Sequence, residues 1–324
     1  MAQSRSAGFD TLKGLLIFLV VFGHLLEPQY GGGPNFLYLM IYSFHMPAFI
    51  FLSGWFSRNS ALKKNLTGVL LPYLVFQVVY LLYAGLPVQV YSPYWILWYL
   101  FALFLWRLPA PVLHDRPALV WSLIPVSIVV SLLCGFTDKI GYDFALSRVL
   151  VFLPYFLLGF ALSGRRDEIL PRLRAPVSRG LSLIGVLVCM GFFWHVRLTF
   201  QRPWFFGAAS YQFSGASPRI RLLLLAIALV WIWFLLSWIP CRRLPCLTAL
   251  GRNTLFVYLL HGFVKLQVDA HAEALYRFGT IPNLLLALLL AAALCALFGN
   301  RWLAGAWRWL CQAGRSLWEQ TLRR

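Results

Sequence analysis

A lysine and a histidine stand in the first apolar stretch of the chain with ten residues between them. Lys13 begins the stretch, His24 lies near its end, and Glu27 follows three residues later. Eleven residues carry an α-helix through three turns plus about 20°, so Lys13 and His24 share one face, about 16 Å apart. Asp10 and Glu27 extend this stripe by one turn at each end. Such a stripe in an apolar helix is costly unless it faces a cavity or partners.

This polar stripe has two interpretations. An imidazole that is neutral near pH 7 is suited to proton transfer, which would make His24 a functional residue. Alternatively, His24 is a buried hydrogen-bonding residue and Lys13 an ordinary cytoplasmic anchor. The spacing alone leaves both open.

A second histidine lies in the next apolar stretch. His45 stands two residues before Pro47, about 12 Å below the start of that run at Leu37. His24 lies about 5 Å below Glu27 on the first helix. We therefore expect the two imidazoles to share a cavity in the outer half of a bilayer.

The ninth apolar stretch carries a column of polar residues. His261, Lys265 and Asp269 are spaced by four and stand one above another on a helix. Lys265 and Asp269 can neutralise each other as an i,i+4 pair, which would be a purely local arrangement. Ionisable residues inside a membrane segment are nevertheless functional candidates.

The composition requires a bilayer around these helices. Of 324 residues, 60% are hydrophobic and 12% are charged, against roughly 45–50% and about 25% in soluble domains. The 14 tryptophans are suited to anchoring helices at two interfaces. The net charge of +18 would suggest nucleic acid on a soluble protein, but the basic residues lie mainly between apolar runs and indicate topology instead.

We predict an all-α integral membrane protein of about ten transmembrane helices in a single domain, 1–324. The apolar runs cover 12–27, 37–57, 67–86, 94–107, 118–136, 147–163, 181–197, 220–239, 252–269 and 281–299. The first run is read as a retained helix, because Lys13 interrupts its start and Glu27-Pro28 is no small-residue cleavage site. The six cysteines show neither metal-binding spacing nor a disulfide framework. Cys134, Cys189 and Cys295 are predicted core residues.

Most Lys and Arg residues lie in alternate connections between the apolar runs. With the N-terminus in the cytoplasm, 20 of the 28 Lys and Arg residues fall in cytoplasmic segments, and the first two outer loops, 28–36 and 87–93, hold none. The pattern predicts that both termini are cytoplasmic. Basic residues flank two outer loops against this rule: Lys139, Arg148, Arg197, Arg202, Arg219 and Arg221. They are either snorkelling side chains at helix ends or part of an extracytoplasmic site for a polar or anionic acceptor.

These residues together resemble a known family. Lys13-x10-His24 is similar to the Arg/Lys-x10-His signature of the acyltransferase family three membrane proteins, with Lys where many members have Arg. Further segments resemble the fucose 4-O-acetylase branch of this family. In order along the chain they are Phe9–Gly14, Ser43–Gly54, Trp95–Leu100, Arg148 with Phe152–Gly159, Trp204–Tyr211 and Leu250–His261. Each motif is weak alone, but their order from residue 9 to 261 is specific.

Members of this family are ten-helix enzymes of bacterial membranes that O-acetylate surface polysaccharides, and the resemblance implies the same fold and activity for this chain. The donor would be acetyl-CoA or another acyl-CoA from the cytoplasm, with no permanently bound cofactor and no metal. His24 would be the catalytic centre and general base, with Glu27 or a backbone carbonyl fixing its tautomer. Lys13, with Asp10 beside it, would lie near the donor's phosphates.

Further roles are assigned on the same basis. His45 is a second catalytic candidate, and Arg148 is our candidate to stabilise the oxyanion that forms when the hydroxyl attacks the thioester. The acceptor, a sugar that is possibly lipid-linked, would meet Trp204, Tyr211, His261 and Lys265. For Trp204 and Tyr211, stacking on a sugar and interfacial anchoring are equally compatible with the sequence.

Two other functions compete with an acyltransferase. A transporter or flippase of a lipid-linked sugar would line a pore with polar residues but would not need the Lys13–His24 pair, and it would be favoured by inverted repeats, which the sequence lacks. A catalytically dead scaffold is disfavoured by the intact His24.

Overall fold

The computed structural model describes residues 7–239, 244–307 and 309, and this part of the chain is helical without a strand. The main helices are α1 (Ala7–Leu26), α2 (Gly32–Trp55), α3 (Leu62–Tyr83), α4 (Trp95–Arg107), α5 (Pro117–Leu133), α6 (Leu146–Ser163), α7 (Pro176–Val196), α8 (Pro218–Ser237), α9 (Pro245–Arg252), α10 (Thr254–Ala270) and α11 (Thr280–Phe298). Shorter helices, such as Ala110–His114 and Arg166–Leu173, lie in the connections.

Ten of these helices match the ten predicted apolar runs in position. Eight are long and apolar enough to cross a membrane, which makes this a multi-pass membrane protein. The fourth run corresponds to the shorter α4, and the ninth to α10 with 17 residues. The count of ten and the cytoplasmic termini therefore stay predictions.

Part of the charge pattern lies outside the described residues. This applies to Arg5, Arg242, Arg243, Arg308, Arg315, Arg323 and Arg324, and also to Cys241 and Cys311. Among the described cysteines, Cys134, Cys189 and Cys295 are buried, as predicted, and Cys246 is exposed on α9.

The chain divides into two compact units, Met1–Tyr30 with Ile239–Arg324, and Gly31–Trp238. In the first unit α1 packs against α9, α10 and α11. Glycines allow α1 and α9 to touch: a Cβ on Gly14 would lie 2.0 Å from the Leu247 carbonyl oxygen, and one on Gly251 would lie 1.7 Å from the Asp10 carbonyl oxygen. Only hydrogen atoms fit at these two positions.

The second unit also contains two helices that touch at glycine residues. A Cβ on Gly54 of α2 would lie 2.0 Å from the Phe156 carbonyl oxygen, and one on Gly159 of α6 would lie 2.0 Å from the Phe51 carbonyl oxygen. The two helices are therefore in backbone contact. The prediction of a single domain stays a prediction, since each unit is compact by itself.

The helices differ in how much of their surface the protein covers. In α1, 72% of the apolar segment of the helix is buried inside the protein, whereas in α7 only 22% of the corresponding segment is buried. α7 exposes large apolar side chains such as Val188 and Ile184, which water would not solvate. Lipid must cover such faces of α7. Because α1 is mostly covered by protein, its polar stripe is directed into protein and not into hydrocarbon.

Candidate active site

His24 and Glu27 form a hydrogen-bonded pair at the C-terminal end of α1. His24 Nδ1 lies 2.9 Å from Glu27 Oε1, and the two side chains are 14% and 20% exposed. The last turn of α1 positions the imidazole, and the chain leaves the helix at Leu26, so that Glu27 can turn back towards it. The pair is mostly buried but remains accessible.

This hydrogen bond assigns the tautomer of His24. An ionised carboxylate only accepts hydrogen bonds, so Nδ1 carries the hydrogen and donates it to Glu27. In the neutral imidazole Nε2 then has the lone pair. A nitrogen of this kind is the part of histidine that can remove a proton from a hydroxyl group.

Lys265 of α10 completes the pair from a second helix. Its Nζ lies 2.6 Å from Glu27 Oε2 and also donates to Asp269. The Lys265 side chain is only 10% exposed. The local interpretation, in which Lys265 and Asp269 neutralise only each other, is therefore incomplete, because Lys265 joins α10 to the His24–Glu27 pair.

Glu27 is charged in this setting. It lies just beyond the membrane-spanning helix α1. Burial by itself would raise the pKa of its carboxyl group, but the neighbouring His24 ring and the Lys265 ammonium hold that pKa well below its usual range. The carboxylate is therefore available to stabilise a positive charge on His24.

A second imidazole stacks on the first. The His261 ring lies 5.5 Å from the His24 ring, centroid to centroid, with 28° between their planes. His261 Nδ1 lies 2.8 Å from the Val257 carbonyl oxygen and donates to it, which leaves the lone pair on Nε2. This Nε2 is buried, and it has no hydrogen-bond partner among the residues that the structure describes. The side chain can still accept one hydrogen bond.

The other end of α1 carries a cationic cluster. Asp10 is buried, with a side chain that is 1% exposed, and its Oδ2 accepts a hydrogen bond of 3.1 Å from Arg252 Nε. Lys13 Nζ lies 3.9 Å from Asp10 Oδ1. Two cations thus meet one carboxylate where α1 packs on α9. The role of Asp10 in donor binding stays a prediction; in the structure its buried carboxylate pairs with both cations.

His45 belongs to the second unit. It is buried on α2, its Nδ1 lies 2.8 Å from the Ile41 carbonyl oxygen, and its ring meets Tyr42 edge-on at 4.7 Å. The predicted cavity shared with His24 stays a prediction.

Arg148 also lies in the second unit, at the start of α6. Its guanidinium group is flanked by the rings of Trp98 and Tyr142, at 5.2 and 5.8 Å from the ring centroids, and Nε donates to the Phe206 carbonyl oxygen. Arg148, Trp98 and Tyr142 line a small pocket. The backbone beside it is strained, with positive φ at Ala145. The aromatic neighbours of Arg148 were not expected from the sequence, although Trp98 lies in one of the quoted motifs.

Tyr211 and Trp204 take different positions. Tyr211 is buried, its hydroxyl group donates to the Leu132 carbonyl oxygen at 2.8 Å, and its ring fills the space beside Gly135. Trp204 is partly exposed and meets Phe200 edge-on at 4.6 Å. The Trp204 ring thus has accessible surface for an acceptor, whereas the Tyr211 ring is packed inside the second unit.

Two of the arginines that break the charge rule have specific partners. Arg202 Nε donates to Asn35 Oδ1 at 2.8 Å and lies over the Tyr38 ring. Arg221 donates to the Ser131 carbonyl oxygen at 2.7 Å and lies over the Tyr211 ring. Both guanidinium groups tie elements of the second unit together, which is more than snorkelling at helix ends.

The sequence did not predict the pair between Arg252 and Asp10 or the helix α9. It counts Arg252 as a topological charge at the start of the ninth apolar run and predicts a loop between that run and the eighth. One signal was present: Gly251 and Gly14 are small residues of the kind that permit close helix contact in membranes. In the described residues no three His, Cys, Asp or Glu side chains are grouped to hold a metal ion.

A family match assigns the class of protein. The family model described as "Acyltransferase domain" matches residues 6–300, nearly the whole chain. The chain belongs to this family and is a multi-pass membrane acyltransferase, as the motifs predicted.

Two relatives of the chain share one name. The chain is 24% identical over 342 residues to nodulation protein NolL of Sinorhizobium fredii (strain NBRC 101917 / NGR234), a match that covers 92% of this chain and 87% of the relative. It is 40% identical over 70 residues to nodulation protein NolL of Mesorhizobium japonicum (strain LMG 29417 / CECT 9101 / MAFF 303099), which covers 20% of this chain and 19% of that one. No solved structure matches the chain.

Proposed function

We propose that this protein transfers an acyl group, acetyl in the first instance, from cytoplasmic acyl-CoA to a hydroxyl of a cell-surface or lipid-linked sugar. The observation that carries the proposal is the hydrogen bond between His24 Nδ1 and the Glu27 carboxylate, in a chain of the acyltransferase family. The membrane would be the bacterial inner membrane. The donor is a substrate, and no permanently bound cofactor is required.

His24 acts as the general base in this proposal. Its Nε2 takes the proton of the acceptor hydroxyl as the oxygen attacks the thioester carbonyl carbon. The tetrahedral intermediate collapses by breaking the carbon–sulfur bond, and the thiolate leaves with the proton that His24 held. Glu27 lies 2.9 Å from the imidazole and stabilises it while it is charged.

Lys265 and Asp269 position the carboxylate. The Lys265 ammonium occupies Glu27 Oε2 and so directs Oε1 at His24. An acceptor hydroxyl that approaches His24 would also meet His261, whose ring stacks on His24. Arg148 and Trp204 stay candidates for the oxyanion and the acceptor.

The function is tested with purified protein in neutral nanodiscs, by release of free coenzyme A and by mass spectrometry of the acceptor glycan. His24→Ala should lower the rate by about 10²–10⁴-fold, the usual loss when a general base is removed. His24→Gln keeps hydrogen bonding but cannot take the proton at neutral pH, so it should be equally inactive.

Two results would contradict the proposal. An active His24→Gln variant would mean that the imidazole is structural. If glycans from cells that lack this protein keep every acetyl group, a sugar is not the acceptor. Protein abundance and elution as a monodisperse species serve as controls for both variants.

A further inference from the structure

Three basic side chains of the second unit lie where α3 begins and α4 ends, on the side that the charge pattern predicts to be cytoplasmic. They are Lys63 and Lys64 in the first turn of α3, and Arg107 in the last turn of α4. The sequence has no Asp or Glu over 28–114, so this segment supplies no carboxylate of its own. In the described part of the chain, no carboxylate from another segment pairs with any of the three.

Arg107 is fixed by a contact that a merely topological charge would not need. Its Nε donates to Ser57 Oγ at 2.9 Å, and Ser57 is fully buried just beyond the end of α2. The Ser57 hydroxyl group gives its own hydrogen to the Ser53 carbonyl oxygen, so towards Arg107 it can only accept.

The rest of the Arg107 guanidinium group is available to a ligand. The side chain is partly buried, and Nε is its only atom with a hydrogen-bond partner among the residues that the structure describes. Arginine presents its donors in a planar fork that matches the oxygens of phosphate. With Nε held by Ser57, Nη1 and Nη2 form a preoriented pair of donors.

Asn65 joins the start of α3 to α4 beside this arginine. Its side chain is buried, and its Nδ2 donates at 3.0 Å to the carbonyl oxygen of Phe104, one helical turn before Arg107. Lys63 and Lys64 directly precede Asn65 and are exposed. The contact therefore places the two lysines and the guanidinium group at one edge of the second unit.

Exposed leucines lie beside these cations. Leu62 precedes Lys63 and Leu108 follows Arg107, and these leucines are 57% and 44% exposed. Leu66, one turn further along α3, is 40% exposed. A soluble phosphate compound would contact only the cations, whereas a phospholipid brings a phosphate for the cations and acyl chains for the leucines. The combination favours a lipid as the ligand.

We propose that Lys63, Lys64 and Arg107 bind the headgroup phosphate of an anionic phospholipid of the cytoplasmic leaflet. Ser57 and Asn65 are positioning residues, since they hold Arg107 and the start of α3. The inference goes beyond the proposed function and does not depend on it, because the lipid is neither the donor nor the acceptor of an acyl group.

The test measures lipid binding on the full chain, purified and delipidated in neutral detergent. Native mass spectrometry gives dissociation constants for phosphatidylglycerol, which is anionic, and for phosphatidylcholine, which has no net charge. The wild type should bind phosphatidylglycerol more tightly. Arg107→Gln should weaken that binding by about 5- to 10-fold, the effect of one cation near a membrane surface, and should leave phosphatidylcholine binding unchanged.

A second variant covers the case in which Arg107→Gln does not fold. The Lys63 and Lys64 side chains are exposed and have no partner in the described part of the chain, so Lys63→Gln combined with Lys64→Gln should fold normally. This double variant should weaken phosphatidylglycerol binding by about 10- to 30-fold, since it removes two cations.

Arg165→Gln is the matched control. Arg165 belongs to the same unit and to a segment also predicted to be cytoplasmic, but its Nη2 lies 2.7 Å from Glu168 Oε2. Because this cation already has a carboxylate partner, its loss should leave both dissociation constants unchanged.

Three outcomes would overturn the assignment. Phosphatidylcholine that binds the wild type as tightly as phosphatidylglycerol would mean that the headgroup charge is not recognised. An equal loss in Arg165→Gln and Arg107→Gln would mean that only net charge matters. Displacement of phosphatidylglycerol by coenzyme A would show that these cations bind a soluble phosphate instead. The glycan assay decides the proposed function separately, whichever result is found here.

Discussion

With Nδ1 directed at Glu27, His24 can accept a proton at Nε2 only in the neutral tautomer that carries its hydrogen on Nδ1, and Glu27 selects that tautomer. Lys265 in turn holds Glu27, so three side chains from two helices act as a unit. The sequence could predict the His24–Glu27 contact, because residues three apart face each other on a helix. It could not predict the contact with Lys265, since 238 residues separate the two partners and no local rule relates α1 to α10.

The coupling between Glu27 and Lys265 can be measured. Glu27→Gln should lower kcat by about 10- to 100-fold, because a neutral amide stabilises a protonated imidazole less than a carboxylate does. Lys265→Met should lower it less. In the double variant the two losses should not add, because both act through the position of one carboxylate.

The wild type, the two single variants and the double variant are compared by kcat, measured on purified protein at saturating donor and acceptor. Additive losses would mean that Lys265 acts independently of Glu27, for example on the acceptor. The exposed pair Arg165 and Glu168 provides a matched control, since variants there should leave kcat unchanged.

His261 yields a second prediction at this scale. Its buried Nε2 can accept a hydrogen bond that no described residue donates, and an unsatisfied buried group costs about 1–3 kcal/mol. We expect His261→Phe to keep the ring stacking and raise KM for the acceptor by about 5- to 10-fold. His261→Gln, which still has an acceptor oxygen, should retain most affinity. Coenzyme A release without acceptor should be unchanged in both; a lowered rate there would make His261 part of the chemistry.

At the scale of elements, α9 is the helix that lies in backbone contact with α1. It has eight residues and touches α1 so closely that Gly14 and Gly251 are required. Hydrophobic periodicity does not reveal a helix of this length, because two turns give too few repeats. The longer apolar helices were predictable for the opposite reason: each must span the same thickness of hydrocarbon.

Gly14→Ala should destabilise the protein. A methyl group there would lie 2.0 Å from the Leu247 carbonyl oxygen, so α1 and α9 must separate. Overpacking of this kind typically costs about 1–3 kcal/mol. We expect a lower melting temperature in detergent.

Gly191→Ala on α7 is the matched control. No atom lies within 4 Å of its added methyl group, so its melting temperature should be unchanged or slightly higher. A Gly14→Ala variant as stable as this control would show that the α1–α9 contact is not required.

At the scale of the whole molecule, charge and hydropathy determine how the chain lies in its membrane. Eight helices are long enough to span it, and the shorter α4 and α10 occupy the two other predicted runs. The sequence could predict these positions because lipid imposes one length on every spanning helix. It could not predict how the chain divides into two compact units, which depends on contacts far apart in sequence.

Both chain termini should be cytoplasmic. The Lys and Arg residues alternate between loops in a way that predicts an even number of spans. A fluorescent reporter fused after residue 324 should be active, and a periplasmic phosphatase at the same position should be inactive. The reverse pattern would place Lys13 on the wrong side for a cytoplasmic donor.

The arrangement around Lys265 has a consequence for electroneutrality. Among the contacts that the structure describes, two carboxylates, those of Glu27 and Asp269, meet one ammonium group, so these three side chains have an excess negative charge while His24 is neutral. When His24 takes up a proton, that excess disappears. In a medium that solvates isolated charges poorly, the state that holds the transferred proton is then the electrically balanced one. The resting site, and not the reaction intermediate, bears the cost of an uncompensated charge.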